Sequence, residues 1–398
     1  MRAHVIEIGP NAIRRLCCGV APIADSELER TALESVDDAV ALVDLRPITV
    51  ESLWRSVLES VNCGGAESMV VIHPSWWAPS RVDVVNAATR CLGDEVVMKP
   101  RSWLLRQGSQ RSALVVEIVD GFVVVIGDVV AVETRRREQQ SVVEGVAHSV
   151  LRMATNATET VLIDAPRTVQ GASELSALIA GELRDSSGVT VMQVSDIELR
   201  RVAAGLIPSE YQDGVVAKTR GGRRRSKLVL MVPIISAVLG GAALLYHPAG
   251  AAHDVMSTTY LVEGHVALEV PARWPVRRIV AGPGSARLQV SSPADPEVAL
   301  HVTQSQVALT GLAATAEFLK GAIDAAPAGV FVDFNPAGRS AGRPVVTYRE
   351  VRGGHDVRWT VWVDQAVRIS IGCQSRRGNA EAVRHECDLA VRSARALT

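Results

Sequence analysis

Short runs of Val, Ile and Leu recur along the first 210 residues, each closed by Pro, Gly or a polar cluster. Between them lie longer stretches with apolar positions three and four apart. The runs predict strands and the stretches predict helices. Strands are expected at 4–10 (HVIEIGP), 68–74 (SMVVIHP), 95–100, 113–119 (ALVVEIV), 122–128, 129–134, 160–166 (TVLIDAP) and 189–194. Helices are expected at 52–61, where Leu53, Trp54, Val57, Leu58 and Val61 share a face, and at 79–93, 140–153 and 173–188. A further helix is expected at 195–206, opened by the capping box of Ser195 and Glu198. This order predicts an α/β domain with a mixed sheet.

Beyond residue 257 the pattern is mostly strict alternation. Strands are expected over 257–274, 276–282, 286–292 and 298–307, then a meander of 344–351, 356–364 and 366–373. In its middle strand Val357, Trp359, Val361 and Val363 alternate with Arg358, Thr360, Trp362 and Asp364. Helices are expected at 311–326 and 379–397, with Asp333 to Gly338 as a turn. This half reads as an α+β sandwich.

Residues 228–246 (LVLMVPIISAVLGGAALLY) carry no charge. As a helix they reach roughly 29 Å, close to the ~30 Å hydrocarbon core of a bilayer. Lys218, Arg220, Arg223, Arg224, Arg225 and Lys227 precede them, and 247–253 contains no Lys or Arg. Basic residues beside a span stay on the cytoplasmic side. The expectation is a single-pass membrane protein: a cytoplasmic α/β domain (1–212), a basic juxtamembrane linker (213–227), a transmembrane helix (228–246), a linker (247–257) and an extracytoplasmic α+β domain (258–398). The alternative is a buried core helix behind a solvated charge run. Ser236 with Gly240, and Ala237 with Gly241, place small residues four apart, so weak self-association through the span is expected.

A net charge of −1 over 398 residues gives no reason to expect a nucleic-acid partner. Cys17, Cys18, Cys63 and Cys91 fall on the expected cytoplasmic side with no zinc-ligand spacing, and read as core thiols. Cys373 and Cys387 fall together on the outer side, where a disulfide is expected. No phosphate-binding Gly-x-x-x-x-Gly-Lys loop or His-Glu-x-x-His pair occurs. Trp76-Trp77 reads either as an exposed partner anchor or as a cap over the local core. Arg135 to Arg137 reads as a solvated turn or as an addition to the basic surface.

In segment order, residues 1–210 resemble the actin-like ATPase superfamily. The stretch Glu7-Ile8-Gly9-Pro10-Asn11 stands where the first phosphate turn would be, and 113–127, with Glu117 and the Asp120-Gly121 turn, resembles the second phosphate hairpin. The resemblance implies candidate cofactor-binding residues Glu7, Gly9, Glu117, Asp120 and Gly121. ATP with magnesium is the implied cofactor, with Glu7 and Glu117 holding the ion through water. The departures imply a degenerate domain without ATPase activity. Pro10 has no N–H to offer an anion, and no Gly-rich run follows Asp120. In that reading no cofactor is bound and Glu7 and Glu117 are strand-edge carboxylates.

The strings at 262–305, at 329–351 and at 368–375 (RISIGCQS) resemble the C-terminal domain of the actinobacterial type VII secretion-associated protein family, and also the PsbP-like sandwich. The resemblance implies a non-enzymatic membrane accessory of a type VII secretion system. Its expected partners are secretion-system components or secreted substrates. A nucleotide-controlled sensor and an envelope ligand-binding protein are the alternatives. Arg343, Tyr348, Arg349, Arg352 and His355 read as a polar recognition patch or as a solvated sheet edge.

Overall fold

The computed structural model describes residues 3–17, 26–62, 68–90, 92, 95–109, 113–135, 138–155, 160–186, 188–206, 257–280, 286–308 and 311–397. The expected span, its basic cluster, Cys18, Cys63 and Cys91 lie outside them. Among the described residues no helix is long and apolar enough to cross a membrane.

Residues 3–206 form two α/β lobes. The first comprises β1 (Ala3–Gly9), β2 (Ala12–Arg15), α1 (Ser26–Glu34), β3 (Val40–Val43), β4 (Arg46–Thr49), α2 (Val50–Val61), β5 (Ser68–His73), α3 (Pro79–Thr89), β6 (Glu95–Pro100) and α4 (Arg101–Gln107). Its sheet runs β2-β1-β5-β6, with β2 antiparallel to β1, and β5 and β6 parallel to it. The second comprises β7 (Leu114–Ile118), β8 (Phe122–Ile126), β9 (Val130–Thr134), α5 (Gln139–Met153), β10 (Thr160–Asp164), α6 (Ala172–Ser186), β11 (Thr190–Val194) and α7 (Asp196–Gly205). Its sheet runs β11-β10-β7-β8-β9. Both lobes repeat one plan, an antiparallel hairpin followed through helices by parallel strands.

β7, β8 and β10 are buried along their whole length. Covered on both faces, such strands read as unbroken apolar runs. α2 buries Val50, Leu53, Trp54, Val57, Leu58 and Val61, the face expected from the 3.6 period, and starts at the Thr49 cap. The capping box at Ser195 and Glu198 is formed. Residues 101–107 form α4 directly after β6. Trp77 is buried edge-on against Trp54, and Trp76 packs on Phe122 with Arg81 over its face. The pair caps the core.

The second half comprises β12 (Thr258–Glu263), β13 (Val266–Pro271), β14 (Val276–Ile279), β15 (Arg287–Ser291), β16 (Ala299–Gln306), α8 (Leu312–Asp324), β17 (Phe331–Ser340), β18 (Arg343–Val351), β19 (His355–Asp364), β20 (Val367–Arg376), a 3-10 turn at Ala380–Val383, α9 (Arg384–Ser393) and β21 (Arg395–Ala396). A seven-stranded antiparallel sheet runs β14-β15-β16-β20-β19-β18-β17, beside a three-stranded sheet β12-β13-β21. Their shared core holds Leu268, Val290, Leu300, Trp362, Ile369, Ile371 and Val391. Trp359 lies on the opposite face of β19, over Gly372, where a Cβ would meet the indole at 3.0 Å.

Two expectations are corrected. Asp333 to Gly338 is not a turn: it lies within β17, whose register with β18 shifts twice, with Asp333 at φ 56°. The last helix ends at Ser393, because Ala394, Ala396 and Leu397 leave it to bury their side chains and β21 pairs with β13. The Cys373–Cys387 disulfide joins β20 to α9 across 5.9 Å between Cα atoms.

The two halves also touch. Arg278 binds Asp37 at 2.6 Å, Asp37 binds Arg81 at 2.5 Å, and Thr259 accepts the Val130 N–H at 2.9 Å. Val262, Ala267 and Leu397 share a core with Val5 and Leu104. These contacts require both halves on one side of any membrane, so they and the expected topology exclude each other. Glu263 Oε2, Arg278 Nε and Arg395 Nε are buried without hydrogen-bond partners. Burial, then the neighbouring Asp37 charge, push the Glu263 carboxyl up to about 7.

Because the disulfide closes a loop with a sequence separation of 14, reduction is expected to lower the stability of the second half by about 3 kcal/mol. Urea unfolding followed by tryptophan emission, with and without reductant, measures this. Superimposable curves would reject a stabilising role.

Candidate functional site

Three apolar strands each carry one acidic side chain near their C-terminal end: Glu7 on β1, Glu117 on β7 and Asp164 on β10. β1 and β7 are interior strands of their respective sheets, and Asp164 sits beside Glu117 in the parallel register of β10 with β7. All three carboxylates therefore meet in the cleft between the lobes. All are buried. Unpaired, such charges would cost several kcal/mol each.

Arg101 supplies the compensation. It opens α4 directly after Pro100, and only 2% of its surface is exposed. Its Nε and Nη2 donate to the two oxygens of Asp164 at 2.5 and 2.9 Å, a bidentate fork. Its Nη1 forms an ion pair with Glu7. Burial opposes the guanidinium charge, but Asp164, Glu117 and Asp196 together outweigh it and the pKa rises above its ordinary value. Arg14 on β2 closes the other side, binding Glu7 and, at 2.8 Å, Asp196 at the start of α7. The Arg14 hydrogen bond holds the Asp196 carboxyl below its usual range.

Among the described residues Glu117 has no arginine hydrogen bond of its own. Ser75 donates its hydroxyl at 2.5 Å and its N–H at 3.3 Å, and Ser75 Oγ accepts from the Ser102 N–H at 2.7 Å. Burial, partly offset by the Ser75 hydrogen bond and reinforced by Asp164, pushes the Glu117 carboxyl up to about 7.

The two expected phosphate turns lie against each other. Asn11, at φ 67°, donates to Asp120 at 2.5 Å, and the Thr168 hydroxyl donates to the Pro10 carbonyl at 3.1 Å. Gly9 has a Cβ position 3.4 Å from the Ala12 carbonyl oxygen, an ordinary hairpin contact. Gly121 lies against the Leu397 backbone carbonyl, which leaves no room for a side chain. Thus all five sequence candidates, Glu7, Gly9, Glu117, Asp120 and Gly121, come to the cleft and its rim. The residues present do not fit a nucleoside triphosphate with magnesium. A guanidinium fills the space among the carboxylates, and the turns bond to each other rather than opening toward an anion. Among the described residues no group of three or more His, Cys, Asp or Glu side chains is arranged to hold a metal ion.

Arg101, Asp164, Arg14, Ser75 and Asp196 are the members that sequence reading missed. One signal was available: HVIEIG, LVVEI and TVLID each place a lone acid in an apolar strand, which demands a buried cation, hydrogen-bond donors or a raised pKa. Beside the cluster a cavity of about 590 Å³ opens between residues 165–176 and 193–196, lined by Arg167 and Asp196 among others.

No family model matches the chain, and no curated protein matches it. Among solved structures it is similar to cyanobacterial PsbP (CyanoP) from Synechocystis sp., at 16% identity over 38% of this chain and 99% of that one, TM-score 0.27. It is similar to a non-polymerising MamK mutant bound to AMPPNP, at 10% identity over 40% of this chain and 74% of that one, TM-score 0.32. It is also similar to LpqN, involved in cell envelope biogenesis of Mycobacterium tuberculosis, at 15% identity over 36% of this chain and 86% of that one, TM-score 0.23.

The Glu117 shift sets a pH dependence. Its folded value of about 7 lies above the ordinary 4.5, so between these the folded state holds more proton than the unfolded one. This group's contribution to stability is therefore full below 4.5 and falls as pH rises toward 7. Glu117→Gln is expected to flatten that part of the stability profile, measured by denaturant unfolding at a series of pH values. An unchanged slope would place the proton elsewhere.

Proposed function

We propose that this chain is a non-enzymatic, single-pass membrane accessory of a type VII secretion system, in which an arginine-closed actin-like module inside is joined by the 228–246 span to a PsbP-like binding module outside. The observation that carries the reading is Arg101. A cleft whose carboxylates are neutralised by a resident side chain has no call for a metal-bound phosphate. The strings at 262–305 and 329–351 support the secretion assignment, and the disulfide supports an oxidising compartment for the outer module. Partners are secretion-system components or secreted substrates.

The membrane topology is preferred because the uncharged 228–246 segment directly follows six basic residues. The contact between the halves leaves three polar atoms of Glu263, Arg278 and Arg395 buried and unpaired. Keeping the halves apart returns them to water. Inserting 228–246 in a bilayer removes a long apolar segment from water, at about 0.8 kcal/mol per CH₂. Exposed single cysteines test this in intact cells. In a chain with Cys17, Cys18, Cys63 and Cys91 changed to serine, a cysteine replacing the exposed Glu317 is expected to react with a membrane-impermeant maleimide, and one replacing Glu51 only after lysis. Equal labelling of both would overturn the topology and favour the packed arrangement.

A second reading, a nucleotide-controlled sensor, draws on the 590 Å³ cavity beside the cleft. Calorimetry of the full chain in detergent with ATP and magnesium separates the two. No saturable heat is expected. Micromolar binding abolished by Glu7→Ala or Glu117→Ala would establish the sensor instead.

A further inference from the structure

The outer half contains a cavity of about 680 Å³ between the exposed end of the seven-stranded sheet and the disulfide-fixed α9. Its volume is in the range of ligand sites. Its floor comes from one face of β18, β19 and β20, where Thr347, Arg349, Asp356, Arg358, Thr360 and Ser375 replace the apolar residues that fill the same face farther along.

Two arginines stand directly opposite on this floor, Arg349 on β18 and Arg358 on β19. Like charges in that relation repel. Arg349 is neutralised twice, by Asp333 at 2.8 Å and by Asp356 at 3.1 Å. The first contact depends on the register shifts of β17 and the left-handed conformation of Asp333. Irregularities of this kind re-aim side chains at functional places. Arg358 has no carboxylate and no hydrogen-bond partner among the described residues. Nearby, Asp356 Oδ1 is buried without a hydrogen bond, its nearest cation being Arg377 Nε at 3.6 Å. Among the described residues the cavity thus presents an unused cation, Arg358, beside an unused acceptor, Asp356 Oδ1, on the same floor, with the Asp388 carboxylate on the α9 wall also without a hydrogen bond. The other members of the expected polar patch are occupied: Arg352 binds Glu350, His355 binds Glu297, and Arg343 lies over Trp362.

We infer that this cavity binds an extended peptide segment bearing an acidic side chain, whose carboxylate meets Arg358 and whose amide N–H meets Asp356. This rests on the reading of the outer half as a partner-binding module, and names the partner's chemistry. A free phosphate would use Arg358 but has no N–H for Asp356. The hydroxyl-lined, mixed-charge floor offers no apolar slot for an acyl chain.

The test uses the full chain in detergent and a fluorescein-labelled Glu/Ser peptide, with its Lys/Ser counterpart as control, read by anisotropy. The Glu/Ser peptide is expected to bind. Arg358→Ala is expected to weaken it by about tenfold or more, as for a lost hydrogen bond to a charged group, with Arg358→Lys in between and Arg352→Ala unchanged. Equal affinity for wild type and Arg358→Ala, or no preference over the Lys/Ser peptide, would overturn the proposal. Full displacement by inorganic phosphate, or by vesicles of anionic lipid, would replace the peptide with that ligand. Partner crosslinking in cells is read separately: if crosslinks persist while the peptide fails, the peptide assignment alone falls.

Discussion

The first half of the chain depends on one guanidinium. Arg101 sits where two lobes bring three strand-end carboxylates together, and its fork on Asp164 and its contact with Glu7 tie the second lobe to the first. Breaking a buried pair by removing one partner typically costs 3–5 kcal/mol, because the remaining charge stays in a medium that cannot solvate it. The network is therefore poor material for a site that must open and close on a ligand. It is good material for holding two lobes in a constant relation and presenting a fixed outer surface.

What the sequence made legible was what repeats. The continuous apolar strands of the second lobe, the 3.6-residue face of α2 and the alternation of β19 all follow from period and burial. The cysteine pair followed from counting within one compartment. Less legible were places where a single contact overrides the pattern. The hairpin β3–β4 turns through Asp44 and Leu45, both with positive φ, and leucine gives no turn signal. Asn-Pro and Gly in β17 read as turn chemistry, yet pairing with β18 holds the strand in the sheet by shifting register. Residues 394–397 carried a helical pattern, and burial beside β13 won.

The candidate site shows the same division. Glu7 and Glu117 could be found because each interrupts an apolar strand. Arg101 could not, because a lone arginine after Pro100 at a helix start has the look of a solvated residue. Only the fold brings it 63 positions along the chain to Asp164. In the second half, too, sequence proximity grouped arginines that the structure separates by occupation. Arg349 and Arg352 already have carboxylates, while Arg358, an alternation-position residue, does not.

Gly372 carries a consequence of another kind. It is a glycine in the middle of a ten-residue strand, paired across to Trp359, and its missing side chain is the slot in which the indole lies. The indole N–H in turn donates to the buried Glu350 at 2.9 Å, and its ring stacks on Tyr348. Any side chain at 372 would lift the ring, strand the carboxylate and unstack the tyrosine. Positions 348, 350, 359 and 372 are thus a single unit of inheritance: in descendants of this chain they are free to change together and constrained from changing alone.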